Sequence, residues 1–300
     1  TTIEEYLADN QPDGVIIATP NQLHVEHGLS CIERNVPVLI EKPIADVAEL
    51  AERLVDTADA ANVPILVGHH RRHNPLIKAA KKAIDDGKIG DIVSVHAQFW
   101  LRKPDDYFEP DWRRSKGAGP LFINLIHDID LLRHLCGEVV RVQAIESNKT
   151  RGHEVEDTAV VIAEFHNGAL GTVSVSDAIP APWSWELTAA ENPAYPNTNA
   201  SCYTIGGTRG SLSVPDLALW THPGKQSWWE PIESNELSYS AADPLPVQFQ
   251  HFLDVIDGTS LPLVSGREGL QTLRVLNAIK NAAASGMPQL IEPLVVGKAR

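Results

Sequence analysis

Three short apolar runs constrain this chain more than any other feature: "GVIIAT" (14–19), "VPVLIEKP" (36–43) and "VPILVGHH" (63–70). Their apolar residues are consecutive rather than alternating, so each run needs cover on both faces. Helical spacing fills the segments around them, in "IEEYLADN", "HVEHGLSCIERN" and "ADVAELAERLVDTADAAN", the last with acidic residues in its first turn. Apolar strands alternating with helices predict a parallel sheet covered on both sides, as in one half of a doubly wound fold.

The pattern changes near residue 73. A helix in "RRHNPLIKAAKKAIDDGKIG" ends on glycine, and strands with one wet face follow: "IVSVHAQFW", "VVRVQAIES", "AVVIAEFHNGALGTVSVSDA", "WELTAA" and "CYTIGGTRGSLSVPD". Asn167-Gly168 between two apolar runs marks a hairpin turn. One helix, "PLFINLIHDIDLLRHLCG", interrupts the strands, and two more, near 247–257 and 266–285, finish the chain. The predicted class is α/β followed by α+β: a partial parallel-sheet domain over 1–73, then an open, mostly antiparallel sheet over 74–300 with helices on one face. The last helices could pack back on the first domain.

At 300 residues the chain is long enough for two cores. No apolar run approaches the ~18 residues that span a bilayer. The start, "TTIEEYLADN", lacks the basic and apolar regions of a secretory signal, which points to a cytoplasmic protein. A net charge of −14 argues against nucleic acid and anionic membrane surfaces. Cys31, Cys136 and Cys202 are odd in number and show no CxxC spacing, so buried reduced thiols are expected. Asn148 and Asn199 each head an N-x-S/T triplet, which carries no meaning in the cytoplasm. No metal site is expected: the histidines, His69-His70 included, lack the spacing of three convergent ligands.

Ligands of open α/β sheets bind beyond the carboxyl ends of the strands. Thr19-Pro20-Asn21 and Glu41-Lys42-Pro43 occupy such ends on consecutive strands, where each proline stops the ladder. A lysine there is a candidate acid–base or charge-stabilising group, although a solvated turn gives the same pattern. His127 lies in an otherwise apolar helix with Asn124 and Asp130 three residues to either side. Such a trio suits either a satisfied core histidine or the wall of a pocket.

Taken together, "IIATPNQLH", "VLIEKPIA", "GPLFINLIHDIDLLRHLCG", "VEDTAVVIAEFHNGALGTV" and "GGTRGSLSV" resemble the Gfo/Idh/MocA family of NAD(P)-dependent oxidoreductases over nearly the whole chain. The resemblance implies a Rossmann domain for NAD or NADP and a second domain for substrate binding and oligomerisation. It implies that Lys42 hydrogen-bonds the reacting hydroxyl and that His127 takes its proton. Thr19, Pro20, Asn21, His24 and Glu41 would flank the cofactor with Lys42. Trp112 and Arg113, in the long polar loop 104–119, would stand near nicotinamide and substrate. Asn124 or Asp128 would substitute in part, as a substrate contact, for an aspartate that many members carry at the position of Ile123, though neither occupies the same spot. The reaction implied is hydride transfer between the nicotinamide and a secondary alcohol or ketone of a sugar, cyclitol or related polyol. A homo-oligomer, dimer or tetramer, would form through the second domain's sheet.

Two departures qualify this. Ile123 stands where many members carry an aspartate one helical turn before the histidine. No G-x-G-x-x-G occurs anywhere, although that loop holds the pyrophosphate in a Rossmann unit. The sequence is therefore expected to lack the front of its Rossmann domain and to be inactive as it stands. The alternative is a non-catalytic, ligand-sensing or scaffolding relative that keeps the fold. Arg71-Arg72 reads as a solvated turn, with contact to a phosphate or carboxylate the other option. Trp183/Trp185 and Trp228/Trp229 suit loop anchors or sugar stacking.

Overall fold

A computed structural model describes residues 2–294. The elements run α1 (Ile3–Asp9), β1 (Val15–Ile17), α2 (His24–Ile32), β2 (Val38–Ile40), α3 (Ala48–Ala61) and β3 (Ile65–Val67). Next come α4 (Pro75–Asp85), β4 (Ile92–Trp100), α5 (Pro120–Ile123), α6 (Leu125–Cys136), β5 (Val139–Ser147), β6 (Thr158–Phe165) and β7 (Leu170–Ser176). The rest are α7 (Trp185–Thr188), β8 (Tyr203–Gly207), β9 (Gly210–Val214), β10 (Ala218–Thr221), β11 (Glu233–Glu236), α8 (Pro244–Ile256), α9 (Gly266–Ser285) and β12 (Gln289–Leu290). Contacts divide the chain into two units, residues 2–74 with Asp243–Arg274, and Pro75–Ala242 with Val275–Pro293.

In the first unit β1, β2 and β3 form a parallel sheet in that order, with Val15, Val38 and Ile65 in register. Every residue of β2 and β3 is buried, as consecutive apolar residues require. At β1 Ile16 is exposed, and among the described residues no strand pairs with its outer edge. Val264 and Ser265 flank β3, through the Val67 N–H bond to Val264 O (2.8 Å) and a Leu66–Ser265 bridge. Thr2 and Glu5 cap α1 reciprocally, each side chain meeting the other's backbone N–H. Helix α3 buries Ala51, Leu54, Val55 and Ala58 and stops at Asn62, whose φ of 56° is one asparagine tolerates.

The second unit is a nine-stranded sheet in the order β11-β10-β9-β8-β4-β7-β6-β5-β12. Its pairs are antiparallel except β4–β7, which is parallel. The β6–β7 hairpin turns at Asn167-Gly168, with Gly168 at φ 86°. The Asn167 amide also donates to Cys136 O at 2.8 Å, which ties the turn to the end of α6. Leu125, Ile126, Ile129 and Leu132 of α6 join Phe99, Val161, Val173 and Tyr203 of the strands in one core. The opposite sheet face leaves Ile145, Val160, Ile162 and Leu170 exposed.

Two expectations are corrected here. "WELTAA" begins as a helical turn, not a strand, because the Ser184 side chain caps it by accepting from Leu187 N at 3.3 Å. The helix expected from Pro120 to Gly137 is broken at Asn124, with φ −110° and ψ −56° between α5 and α6. Asparagine competes for backbone hydrogen bonds and favours such breaks.

Candidate functional site

In the first unit the ladder runs one residue past the strands: Glu41 N–H donates to Ile17 O at 2.9 Å. Thr19 and Glu41-Lys42-Pro43 are half-buried, while Pro20 and Asn21 are exposed. Pro20 leads into a 3-10 turn over Asn21–Leu23 that opens α2. The Thr19 hydroxyl meets His27 Nδ1 at 3.2 Å, a partner that sequence reasoning missed. Glu41 Oε2 accepts the Lys42 backbone N–H at 3.3 Å, and the Lys42–Pro43 peptide is cis. Gly68 makes room for this carboxylate, since a Cβ there would stand 3.1 Å from the Glu41 Cα and Cδ.

His24 is wholly buried. Its Nδ1 lies 2.8 Å from Pro43 O and its Nε2 2.9 Å from Thr19 O. The side chain thus joins the two loops and spends both ring nitrogens on backbone. Arg71 and Arg72, expected in a solvated turn, are instead 4% and 3% exposed in a 3-10 turn over His70–His73. Arg72 pairs with Glu268 at 2.9 Å, a carboxylate nearly two hundred residues away that only folding brings near.

In the second unit His127 is 8% exposed on the first turn of α6, and its backbone N–H donates to Asn124 O at 3.1 Å. The Asn124 side chain is half-buried, as is Ile123. Asp128 is 1% exposed and accepts a short hydrogen bond from the Tyr203 hydroxyl of β8. Trp112 is exposed, and the Arg113 guanidinium lies 5.2 Å from its ring and 4.1 Å from the Tyr107 ring. Arg113 Nη1 also donates to Tyr107 O at 2.7 Å.

A buried charged group supports that loop. Arg151 Nε donates to Asp177 Oδ1 at 2.8 Å, its Nη2 donates to Lys103 O at 2.8 Å, and its guanidinium stacks 4.2 Å from the Phe108 ring. Lys103 Nζ stands 3.6 Å from Asp177 Oδ2 and 4.8 Å from the Tyr107 ring. Burial pushes Asp177 up and Lys103 down from their ordinary pKa values, against their mutual attraction. No spacing in the sequence announces this group, because its members come from separate loops. Among the described residues no three His, Cys, Asp or Glu side chains converge as metal ligands. Among the described residues no helix is long and apolar enough to cross a membrane. All three cysteines are buried and none forms a disulfide, and burial pushes Cys136 up to about 12.

Comparisons with known proteins agree with this architecture. Residues 1–69 match the model of the oxidoreductase family's NAD-binding Rossmann fold, and residues 81–290 match its C-terminal alpha/beta domain. The 1,5-anhydro-D-fructose reductase of Ensifer adhaerens is 26% identical, over 97% of this chain and 84% of that relative. The levoglucosan dehydrogenase of Pseudarthrobacter phenanthrenivorans is 30% identical, over 66% of this chain and 54% of its own length. The crystal structure of the WlbA dehydrogenase from Bordetella pertussis, in complex with NADH and UDP-GlcNAcA, superposes with a TM-score of 0.75 at 26% identity. It covers 98% of this chain and 83% of that one. The NAD-binding match takes in residue 1, so the expectation of a missing front part and of inactivity finds no support in it. The non-catalytic alternative is not favoured either, since these relatives are named as a reductase and dehydrogenases.

Proposed function

Because the chain belongs to the Gfo/Idh/MocA oxidoreductase family, we propose that it moves a hydride between NAD or NADP and a CH–OH carbon of a sugar, cyclitol or related polyol. The observation that carries this reading is the Glu41-Lys42-Pro43 loop at the carboxyl end of β2, the central parallel strand of the matched NAD-binding region. Ligands of such sheets gather beyond these strand ends. The half-buried Thr19, Glu41 and Lys42 and the exposed Asn21 fit the nicotinamide side of a dinucleotide. Trp112 and Arg113 offer a ring and a cation for the same purpose. When bound, the nicotinamide supplies the hydride acceptor or donor. Lys42 holds the substrate oxygen and stabilises its developing negative charge. His127 takes the hydroxyl proton, the general-base role for which histidine is the most frequent side chain. Asn124, Asp128 and Arg113 are the substrate contacts in this reading, with Asp128 steadied by Tyr203.

The same reading includes a homo-oligomer formed through the open face of the second unit's sheet and a reducing, cytoplasmic setting, which three buried thiols outside any disulfide suit. The test is turnover on a polyol and sugar panel with each nicotinamide, followed by absorbance of the reduced cofactor. Lys42→Met and His127→Asn are each expected to lower kcat by ~10² or more. Wild-type turnover by both variants, or none by the wild type with either cofactor, would overturn hydride transfer.

A further inference from the structure

We propose that His24 is a positioning residue for Lys42, a buried imidazolium protonated on both nitrogens that clamps the turn after β1 to the loop after β2. The proposal rests on the role of Lys42 in the reading above. Both ring nitrogens lie at hydrogen-bond distance from backbone carbonyl oxygens, Nδ1 from Pro43 at 2.8 Å and Nε2 from Thr19 at 2.9 Å. A carbonyl oxygen only accepts, and a neutral imidazole has one N–H to give. In either neutral tautomer one bare nitrogen would face a carbonyl oxygen with no proton between them. The ring is 0% exposed, so no solvent relieves that contact, and an unmade bond between buried polar atoms is costly. Only the doubly protonated ring satisfies both carbonyls, through two charge-assisted bonds.

The clamp sits where it bears on Lys42. The sheet ladder fixes the backbone as far as Glu41 N–H on Ile17 O. Two residues on, His24 fixes the Pro43 carbonyl. Lys42 is therefore bracketed between two held points, one set by the sheet and one by an imidazolium on α2. At its other nitrogen the ring holds the Thr19 carbonyl, so the two loops named as cofactor contacts keep one spacing. His24 itself presents no polar atom to a ligand.

Two measurements test this. A long-range proton–nitrogen NMR spectrum of the protein with ring-labelled histidine should show one residue with two slowly exchanging ring protons. The His24→Gln variant should lose that signal, and contacts from the ring protons to Pro43 should assign it independently. A bare His24 nitrogen overturns the clamp, with no variant needed. In the turnover assay, His24→Gln and His24→Phe should lower kcat by roughly 10- to 100-fold, the size expected when a reacting group is displaced by about 1 Å. KM for the nicotinamide should move less than about threefold, whereas a ligand-contacting role would move it with kcat. Unchanged kcat in a folded variant overturns the positioning role. A wild type inactive on every substrate sinks the hydride-transfer reading and leaves the NMR result to decide the clamp.

Discussion

Lys103 shows what a buried charge asks of its surroundings. Its ammonium is 8% exposed and has one carboxylate, Asp177, at 3.6 Å, which Arg151 engages more closely at 2.8 Å. Desolvation lowers the Lys103 pKa below its usual 10.5, and the attraction of Asp177 and Glu186 offsets only part of that. The folded protein thus releases this proton before the unfolded chain does. Stability then rises with pH through the window between the lowered value and 10.5. Lys103→Met removes that slope. Urea unfolding at a series of alkaline pH values should show the wild type gaining on the variant as 10.5 is approached. Parallel curves would refute the assignment. None of this is legible from "LRKPDD", where Lys103 looks like a solvated loop residue. The carboxylate that faces it lies 74 positions later, at the end of β7.

At the scale of elements, the short helix α5 shows how a loop is made to start a helix. Glu156 is 6% exposed; its Oε1 accepts Leu121 N–H at 3.1 Å and its Oε2 meets Lys280 Nζ at 2.9 Å. Lys280 also reaches Glu146 at 2.7 Å; burial lowers its pKa, but the two carboxylates outweigh that and leave it raised. Gly119 makes the arrangement possible, because a Cβ there would stand 2.0 Å from Glu156 Oε1 and 2.4 Å from Val155 Cγ2. Gly119→Ala should displace Glu156 and cost about 1–3 kcal/mol, read as a lowered urea midpoint at constant m-value. A midpoint equal to wild type would mean that Glu156 moves aside freely. The strands and the Asn167-Gly168 hairpin were readable from periodicity and turn chemistry. The turn at Trp185 was not, because Ser184 overrides the strand preference of its neighbours through a cap. The parallel β4–β7 pair escaped for a different reason: alternation identifies a strand and one of its faces, but not its neighbour.

For the molecule as a whole, the opposite face of the nine-stranded sheet carries an exposed apolar patch. Ile145 and Val160 are paired across β5 and β6 at 76% and 50% exposure. Ile162 at 57% and Leu170 at 58% extend the patch to β7. If this face joins copies of the chain, Ile162→Lys should turn the wild-type oligomer into a folded monomer by light scattering. A wild type that is already monomeric would dismiss the interface. The Gfo/Idh/MocA reading itself was available early, since the Glu41-Lys42-Pro43 tip and the His127 helix are local strings. Their placement on strand end and helix needs no tertiary knowledge.

The sequence by itself determined the alternation of helix with buried parallel strand, the change to one-sided strands, and the loop and helix that carry Lys42 and His127. These follow from local periodicity and from prolines and glycines that act on their immediate neighbours. Only the tertiary structure decided what each polar side chain meets. It turned Arg71 and Arg72 inward, set Asp128 against Tyr203, and gave His24 two carbonyls, one of them 19 residues away. The physical reason is range. Secondary structure is chosen by interactions within a few residues, whereas a buried donor is satisfied by whichever acceptor the packed chain brings within 3 Å or so of it.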